Sequence, residues 1–563
     1  MSAAKQVSSG SKTRFVFVFG GVISGVGKGI VSASIAALLK ARGHSVSSIK
    51  VDPYINVDAG TMRPTEHGEV FVTEDGGETD EDLGHYERFS GETIPKANNI
   101  TTGQIFKTVI EAERAGKYLG KTVMPIPQVV DEIVFRIRAA SNGKEICIVE
   151  VGGVVGDYEN VLFVHATQKI AMQEGRERCC NILVVYMPVP SHIGEMKSKP
   201  AQHAITAISS LGAFPDFLVV RASQAVDEVR KEKISSSTNI AAANIVSCPN
   251  VPNVYGVPLL LERQGFLGKI LAKIGIAEKA PDLGKWKSVL ASMDRPKRKV
   301  KIAMIAKYIE SGSFRLADSY VSISEALRHA GAHLGVGVEL SWIDSKKYEQ
   351  NTSTLSELSG FDGVMGLPGF GNAGVEGKIL AIRFARERKI PYLGICYGMQ
   401  LALVEIARDV CKLRKAHTTE CESETVDPIV MILPGQTENI SKGRMGGTLR
   451  LGSHPAILGK GTLVRKIYNG AERIEERHRH RYEVNLAYRS QLERAGVVFS
   501  GTSPDGRLME FMELKSHPFF VGTQAHPEYK SRFLSPSPLY LGFIKACVGA
   551  KQLFTSGKQA QSR

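Results

Sequence analysis

Arg14-Phe15-Val16-Phe17-Val18-Phe19-Gly20-Gly21-Val22-Ile23-Ser24-Gly25-Val26-Gly27-Lys28-Gly29 is the stretch on which the fold turns. Phe15 to Phe19 form an unbroken apolar run that ends in a glycine pair, the pattern of a strand buried on both faces. Behind the glycines, Val31, Ile35, Leu38 and Arg42 fall on one helical face, and Gly43 supplies a stop. The unit is strand, glycine loop, helix. Glycines there let backbone N–H groups converge on phosphate oxygens, the helix N-terminus adds positive potential, and Lys28 adds a point charge. A triphosphate is the natural ligand. The loop departs from an ordinary Walker A, because Val22 stands five residues before Gly27 and Gly29 takes the place of the Ser or Thr that would hold Mg²⁺. A metal must then draw on carboxylates from elsewhere. Asp82, in the acidic stretch Glu74 to Glu87, and Glu150, at the end of an apolar strand before Gly152-Gly153, are the candidates.

Outward from this unit, residues 14 to 275 alternate β-branched runs with helical patterns, as in a parallel sheet covered by helices. Strands are expected at Arg14–Phe19, Val46–Val51, Glu145–Val151, Asn181–Tyr186 and Phe217–Val220. Between Glu278 and Lys299 the apolar pattern lapses into Pro, Lys and Arg, with one short helix expected over Lys285–Met293, and the linker is placed there. A second α/β series follows through Val300–Ile305, Val338–Ile343, Gly363–Leu367 and Pro391–Ile395. The expected organisation is a disordered tail over 1–13, a P-loop-like domain over 14–277, a linker over 278–299, a second domain over 300–551 and a disordered tail over 552–563. Both domains are expected to be α/β, each a mainly parallel sheet flanked by helices.

The chain of 563 residues exceeds what one hydrophobic core organises. No segment approaches the ~18 apolar residues of a membrane span, and the Ser- and Lys-rich N-terminus lacks a signal-peptide core, so a cytoplasmic protein with no membrane partner is expected. Eight cysteines show no disulfide or metal spacing and read as reduced, mostly buried thiols. The 71 Lys and Arg against 57 Asp and Glu give a net charge of +14. That excess suits phosphate-rich ligands. Because the charge is dispersed and no basic stripe is interleaved with aromatics, a nucleic-acid partner is not expected. The run Arg295-Pro296-Lys297-Arg298-Lys299 reads as solvated linker.

In the second series, Pro391-Tyr392-Leu393-Gly394-Ile395-Cys396-Tyr397-Gly398-Met399-Gln400 sets Cys396 between a strand and the helical pattern Leu401–Ala407. This is a nucleophile elbow. Gly394 and Gly398 remove side chains that would crowd the turn, and the following helix N-terminus favours thiolate. Gln524-Ala525-His526-Pro527-Glu528 offers His526 as the base and Glu528 as the group that orients it. The histidine and arginine cluster Arg477 to Arg481 has neither metal-ligand spacing nor nearby aromatics beyond Tyr482.

Lys50-Val51-Asp52-Pro53-Tyr54-Ile55-Asn56-Val57-Asp58, Gly60-Thr61-Met62, His67-Gly68-Glu69-Val70-Phe71 and Leu83-Gly84-His85-Tyr86-Glu87-Arg88-Phe89 stand in unbroken order. With them the chain resembles the CTP synthases from about Phe15 to Ile544. The resemblance implies a dethiobiotin-synthetase-like domain and a class I glutamine amidotransferase domain, which together aminate UTP at C4 with ATP and glutamine. It implies ATP held by Ser24, Gly25, Val26, Gly27, Lys28 and Gly29 with Asp82, Arg221 and Val251, and Mg²⁺ held by Asp82 and Glu150. UTP, and CTP as feedback inhibitor, would be gripped by Ser24, Asp157, Tyr158, Glu159, Lys197, Ser198, Lys199, Pro200, Ala201, Gln202 and Lys233, partly from neighbouring subunits of a homotetramer that could extend into filaments. Cys396, His526 and Glu528 match the amidotransferase triad. Gly369, Tyr397, Gly398, Met399, Gln400, Glu420 and Arg479 match glutamine-holding positions, Glu420 for the α-amino group and Arg479 for the α-carboxylate. The resemblance also implies GTP as an allosteric activator.

Several residues depart from the family pattern. Phe19, Val154 and Ala201 stand where Thr is frequent, and Pro249-Asn250 replaces Lys-Asp beside the adenine position. In Gly366-Leu367-Pro368-Gly369-Phe370-Gly371-Asn372-Ala373-Gly374, Pro368 stands at the Gly whose N–H would serve the oxyanion and Ala373 at an Arg. Two other functions fit parts of the pattern: a glutamine-dependent amidoligase acting on a carboxylate, and a nucleotide-responsive filament protein with an impaired glutaminase.

Overall fold

The computed structural model describes residues 13–306, 310–311, 314–315, 317–433, 436 and 447–560. These form two compact units, one of Met1–Ala59 with Asp82–Lys285, the other of Gly60–Glu81 with Trp286–Arg563.

The first unit is built on seven strands: β1 (Arg14–Gly21), β2 (Val46–Asp52), β3 (Asn99–Thr101), β4 (Ile146–Val151), β5 (Cys179–Tyr186), β6 (Phe217–Ala222) and β7 (Ile245–Pro249). Their order is β3-β2-β4-β1-β5-β6-β7, with every pairing parallel. Parallel strands need crossovers, and the crossover helices bury both faces. That is why Phe15, Val16, Phe17, Val18 and Phe19 are all fully buried instead of alternating. The helix after β1 is α1 (Lys28–Ala41), stopped by Gly43 at φ +80°. Two further helices bear on the site: α2 (Glu81–Ser90) and α3 (Lys199–Ser210).

The second unit opens with α4 (Gly284–Asp294), whose Trp286 ring lies 4.5 Å from that of Phe533. The expected linker therefore contains a packed helix. Its basic end leads straight into β8 (Arg298–Ala306) while Arg295, Lys297, Arg298 and Lys299 stay exposed. Further strands are β9 (Val336–Asp344), β10 (Gly363–Gly366), β11 (Tyr392–Ile395), β12 (Arg450–Leu458), β13 (Arg473–His480), β14 (Val497–Thr502), β15 (Met509–Leu514) and β16 (Phe520–Thr523). They form one sheet in the order β9-β8-β10-β11-β16-β15-β14-β12-β13. The half from β9 to β16 is parallel and the half from β16 to β13 antiparallel. The sheet is mixed, and its parallel half carries the elbow, where β11 feeds α5 (Tyr397–Asp409).

A closing helix, α6 (Pro538–Ala560), buries Leu539, Tyr540, Phe543, Ile544 and Cys547. Its backbone runs on through Gln552 to Ala560, a stretch expected to be disordered. Extending a helix already nucleated by an anchored first turn costs far less than starting one. Residues 561–563 and the N-terminal residues 1–12 lie outside the described residues, while Thr13 is buried and donates its hydroxyl to the Lys144 carbonyl at 2.7 Å.

Gly60–Glu81 packs with the second unit although its neighbours on both sides in sequence belong to the first. It carries the antiparallel hairpin of Phe71–Val72 with Glu78–Thr79. The Phe71 ring meets Tyr529 edge-on at 5.2 Å and lies under the Arg477 guanidinium at 5.4 Å. No helix among the described residues is long and apolar enough to cross a membrane.

Candidate functional site

At the C-terminal edge of the first sheet, the turn from β1 into α1 holds Val22, Gly25 and Gly27 at φ +82°, +67° and +95°. Lys28 is buried and its Nζ donates to the Gly153 carbonyl at 2.9 Å. A side chain at Gly20 would place its Cβ 2.5 Å from that Nζ, so the glycine is what lets the lysine lie back over the strand end. Burial lowers the Lys28 pKa, with Glu150, Asp82 and Asp52 opposing that shift.

Gly29 explains the missing Ser or Thr. A Cβ there would sit 1.8 Å from Asp82 Oδ1, so the carboxylate from α2 fills the volume that a hydroxyl side chain would claim. Asp82 in turn hydrogen-bonds Lys50 Nζ, which also donates to Glu150 Oε1 at 3.1 Å and lies 3.8 Å from Asp52 Oδ1. The register that pairs Lys50 with Glu150 across β2 and β4 makes this convergence unavoidable. Tyr86 donates its hydroxyl to Glu150 Oε2. Burial pushes Glu150 upward and the nearby Asp82 charge adds to it. Burial works against the Asp82 charge as well, yet Lys50, His85 and Lys28 hold that carboxyl well below the usual range.

One ammonium thus gathers both candidate metal carboxylates at the phosphate loop. Among the described residues no group of three or more His, Cys, Asp and Glu side chains could hold a metal alone. The donor set fits Mg²⁺, which commonly takes one or two carboxylates and completes its shell with phosphate oxygens and water. Beside the loop, a cavity of about 140 Å³ is lined by Gly27, Ile30, Val31, Arg221, Cys248, Asn250, Val251, Val254 and Val257. Arg221 is fixed there by the carbonyls of Cys248 at 2.7 Å and Pro249 at 3.0 Å and by Asn250 Oδ1 at 3.1 Å. Pro249 and Asn250 thereby take part in placing the arginine.

Two segments that carry candidate pyrimidine-nucleotide residues, the loop before Asp157 and α3, meet the same strand end. The Val155 N–H donates to the Gly20 carbonyl at 2.8 Å, and Ala204 of α3 packs where a Gly21 Cβ would come within 2.5 Å. Ser24, Asp157, Tyr158, Glu159, Lys199 and Lys233 are exposed. Lys197 pairs with Glu195 at 2.8 Å, and Gln202 Nε2 donates to Ser198 Oγ at 3.3 Å. Pro200 opens α3, and the Ala201 methyl belongs to the core, which leaves only its backbone for a ligand.

In the second unit Cys396 has φ +50° and ψ −100°, the strained geometry of an elbow. Its N–H donates to the Thr523 carbonyl at 2.7 Å, pinning the turn to β16. A Gly398 Cβ would lie 2.1 Å from the Gly366 carbonyl oxygen, and a Gly394 Cβ 2.8 Å from the Gly398 carbonyl carbon. His526 Nδ1 is 2.7 Å from Glu528 Oε1, and Glu528 Oε2 accepts from the Tyr540 hydroxyl at 3.2 Å. Burial alone would lower the His526 pKa, but Glu528 and the Cys396 sulfur raise it to about 10.

Gln524 Nε2 donates to Cys396 Sγ at 3.4 Å, while Gln400 Nε2 is taken by the Tyr482 carbonyl at 3.0 Å and Gln524 Oε1 at 3.1 Å. Met399 is wholly buried in the core. Gln400 and Met399 therefore serve as scaffold through their side chains. Tyr397 donates its hydroxyl to the Gly371 carbonyl at 3.1 Å, and Glu420 Oε1 accepts the Gly371 N–H at 2.6 Å. Arg479 Nε donates to Glu78 Oε1 at 2.9 Å. His478 and His480 are buried, and burial followed by the Arg450 charge lowers both pKa values.

Sequence reasoning did not single out Lys50, Asp52, Tyr86, Gln524, Tyr540 or Glu78. For Lys50 and Asp52 there was a signal: two charges at i and i+2 at the end of an apolar strand point to one face and need a shared partner.

Residues 14–276 match the family described as CTP synthase N-terminus, and residues 315–546 match glutamine amidotransferase class-I. The CTP synthase of Methanopyrus kandleri is 49% identical, with 95% of this chain and 99% of that one covered. The chain belongs to the CTP synthase family. Its activity is glutamine-dependent synthesis of CTP, that of a glutamine-hydrolysing ligase, and ATP is a substrate of the family. The CTP synthase of Rubrobacter xylanophilus is 47% identical over 96% of this chain and 97% of its own. Among solved structures, the glutaminase domain of Trypanosoma brucei CTPS with bound acivicin is 33% identical over 44% of this chain and 94% of that chain, with a TM-score of 0.41.

Two expectations follow from the geometry. Gly29→Ser should collide with Asp82 and lower stability by about 1–3 kcal/mol in urea unfolding; an unchanged unfolding midpoint would show that Asp82 can move aside. His526 is raised above its ordinary 6.5 to about 10. Its contribution to stability is therefore complete below about pH 6.5 and lost as the pH rises through about 10. Glu528→Gln should move that loss to lower pH and slow glutamine hydrolysis about 10²–10⁴-fold. An unfolding midpoint that tracks the parent's between about pH 6 and 11 would contradict the pairing.

Proposed function

We propose that the two sites divide the reaction as follows. O4 of UTP attacks the γ-phosphorus of ATP at the edge of the first sheet, ADP leaves, and a 4-phosphorylated UTP results. Ammonia then adds to C4 and expels phosphate, and loss of one proton from nitrogen gives CTP. In this reading the backbone of Ser24 to Gly29 cradles the ATP phosphates, Lys28 sets a positive charge beside them, and Arg221 and Val251 border the adenine. Asp82 and Glu150 would hold Mg²⁺, which when bound offsets negative charge on the transferring phosphoryl group. Lys197, Lys199 and Lys233 neutralise the UTP triphosphate, and Asp157, Tyr158, Glu159, Ser198 and Gln202 fix its sugar and base.

In the second unit the Cys396 thiol passes its proton to His526 and its sulfur attacks the glutamine amide carbon. His526, held protonated by Glu528, gives its proton to the departing ammonia, and water then cleaves the thioester to release glutamate. Glu420 takes the substrate's α-amino group and Arg479 its α-carboxylate. Tyr397 and Gly398 offer N–H groups at the start of α5. CTP, sharing the UTP triphosphate, would inhibit competitively. GTP would activate weakly, because Ala373 replaces a cationic contact. The family resemblance implies a homotetramer, with filaments as a further level of assembly, and Ile110, Leu119, Met124, Ile126 and Phe135 in the first unit are exposed apolar residues available for such contacts. The eight free thiols are in keeping with a cytoplasmic enzyme.

The observation that carries this reading is the Asp82 carboxylate seated on Gly29 beside Lys50 and Glu150, an acidic site built into a phosphate loop. The test is a CTP-formation assay run with glutamine and with ammonium salt. Cys396→Ala should abolish the first and spare the second, whereas Lys28→Ala should remove both. Normal ammonia-dependent turnover in Lys28→Ala would sink the phosphate-loop assignment.

Pro368 generates a separate expectation. It has no N–H, and its carbonyl accepts from the Tyr320 hydroxyl at 3.3 Å. Losing one oxyanion donor costs about 10²–10³ in rate, so glutamine should be used markedly less well than ammonia. Pro368→Gly should raise glutamine hydrolysis well above the parent's. No gain would mean that Gly369 already fills the role.

A further inference from the structure

The strand that carries Arg479 is lined by residues from far away in sequence. Glu74 Oε2 accepts from Arg477 Nε at 2.8 Å and the Val72 carbonyl from Arg477 Nη1 at 3.0 Å. The Glu74 carbonyl accepts the Ser453 N–H at 2.9 Å, and a Cβ on Gly452 would lie 2.7 Å from the Gly76 nitrogen. Tyr529, three residues beyond His526, donates its hydroxyl to the Val70 carbonyl at 3.1 Å. The hairpin of residues 70–79 is thus fastened to β12, to β13 and to Tyr529.

From this hairpin Glu78, only 4% exposed, reaches Arg479. Its Oε1 takes the Nε–H at 2.9 Å and its Oε2 accepts the Gly447 N–H at 3.3 Å. The guanidinium also lies over the Phe370 ring, 5.5 Å from its centroid. Among the described residues no hydrogen bond engages Arg479 Nη1 or Nη2. The backbone carbonyl of the same residue lies 3.9 Å from Cys396 Sγ, so the arginine belongs to the thiol's immediate surroundings.

We infer that Glu78 is the positioning residue of the glutamine site: it anchors Arg479 by Nε and leaves the Nη1–Nη2 edge oriented for the substrate's α-carboxylate. This rests on the reading of Arg479 as the carboxylate-binding group. A planar guanidinium has two edges for bidentate recognition, and committing one to a buried carboxylate fixes the plane of the other. Without Glu78 the arginine is free to turn about its side-chain bonds, and the α-carboxylate loses a preorganised partner. The glutamine amide still meets Cys396, His526 and Glu528. The effect belongs in KM for glutamine and little of it in kcat.

The experiment is steady-state kinetics of the full chain with glutamine as the varied substrate. Loss of one charge-assisted hydrogen bond predicts a rise in glutamine KM of about ten- to hundredfold in Glu78→Ala, with kcat within about threefold of the parent. Glu78→Gln keeps an oxygen to accept the Nε–H and should bring KM back to within a few-fold of the parent. A structural role alone would not give that rescue. Glu78→Asp, which withdraws the carboxylate by one methylene, should raise KM several-fold and serves if the alanine variant does not fold. A parental KM in Glu78→Ala or Glu78→Asp, or a glutamine variant no better than alanine, overturns the inference. Arg479→Ala separates the two levels: a parental KM there removes the arginine from substrate binding, whereas a raised KM there beside a parental KM at Glu78 removes only the positioning role.

Discussion

A methyl group added at Gly398 would lie 2.1 Å from the Gly366 carbonyl oxygen, and one added at Gly29 would lie 1.8 Å from an Asp82 oxygen. Neither distance is attainable, so at both turns a reactive group stands where it does because a side chain is missing beside it. In each unit a parallel strand ends, the chain reverses into a helix, and the helix N-terminus is brought against a neighbouring strand end. Open edges of parallel sheets are where α/β proteins bind ligands, since loops there converge while the strands behind them stay rigid. The Cys396 backbone shows the cost of this arrangement. Its positive φ is held by the Thr523 carbonyl and by the packing of Gly394 on Gly398, not by any preference of cysteine itself.

Charge is handled alike in the two units. Lys50 holds Asp82 and Glu150 together, and Glu528 holds His526. In each case a buried charge is kept by an opposite charge in hydrogen-bond contact, because an unpaired ion at that depth would neutralise instead. The outcomes differ with the balance of groups. Around Lys50, burial and then the Asp82 charge push Glu150 upward, against the pull of Lys50 and Lys28. Around His526 the Glu528 carboxylate and the Cys396 sulfur outweigh burial and raise the imidazole's pKa to about 10.

Much of this was legible in the sequence because it follows from local pattern. Phe15 to Gly29 could hardly be anything but strand, loop and helix, and Gly394 to Gly398 could only be a tight turn. The antiparallel half of the second sheet was not legible: Arg477 to Arg481 read as a charged cluster and not as the end of β13, and the burial of Arg477, His478 and His480 depends on partners distant in sequence. Lys50 was overlooked for a similar reason. A lysine in an apolar strand has meaning only once the register sets Glu150 opposite it. The side-chain commitments of Gln400 and Met399 were also out of reach, since a residue beside a nucleophile can face the substrate or the core, and only packing decides.

The segment Gly60–Glu81 shows how far sequence adjacency and physical membership can part. It lies inside the stretch 14–276 that matches the N-terminal family, yet its burial is with the amidotransferase half of the chain. Phe71 needs an apolar neighbour and finds Tyr529, while Glu69 caps the Ser322 N–H at 3.0 Å and Glu74 neutralises the fully buried Arg477. None of these partners is supplied by the residues on either side of the segment. An amidotransferase half cut at the linker would therefore lose the Glu74 carboxylate from the buried Arg477, and removing one partner of a buried ion pair costs far more than the pair contributed. The second unit is complete only with a piece of chain that precedes it by more than two hundred residues, which ties the packing around Arg477 and Tyr529 to the continuity of the whole polypeptide.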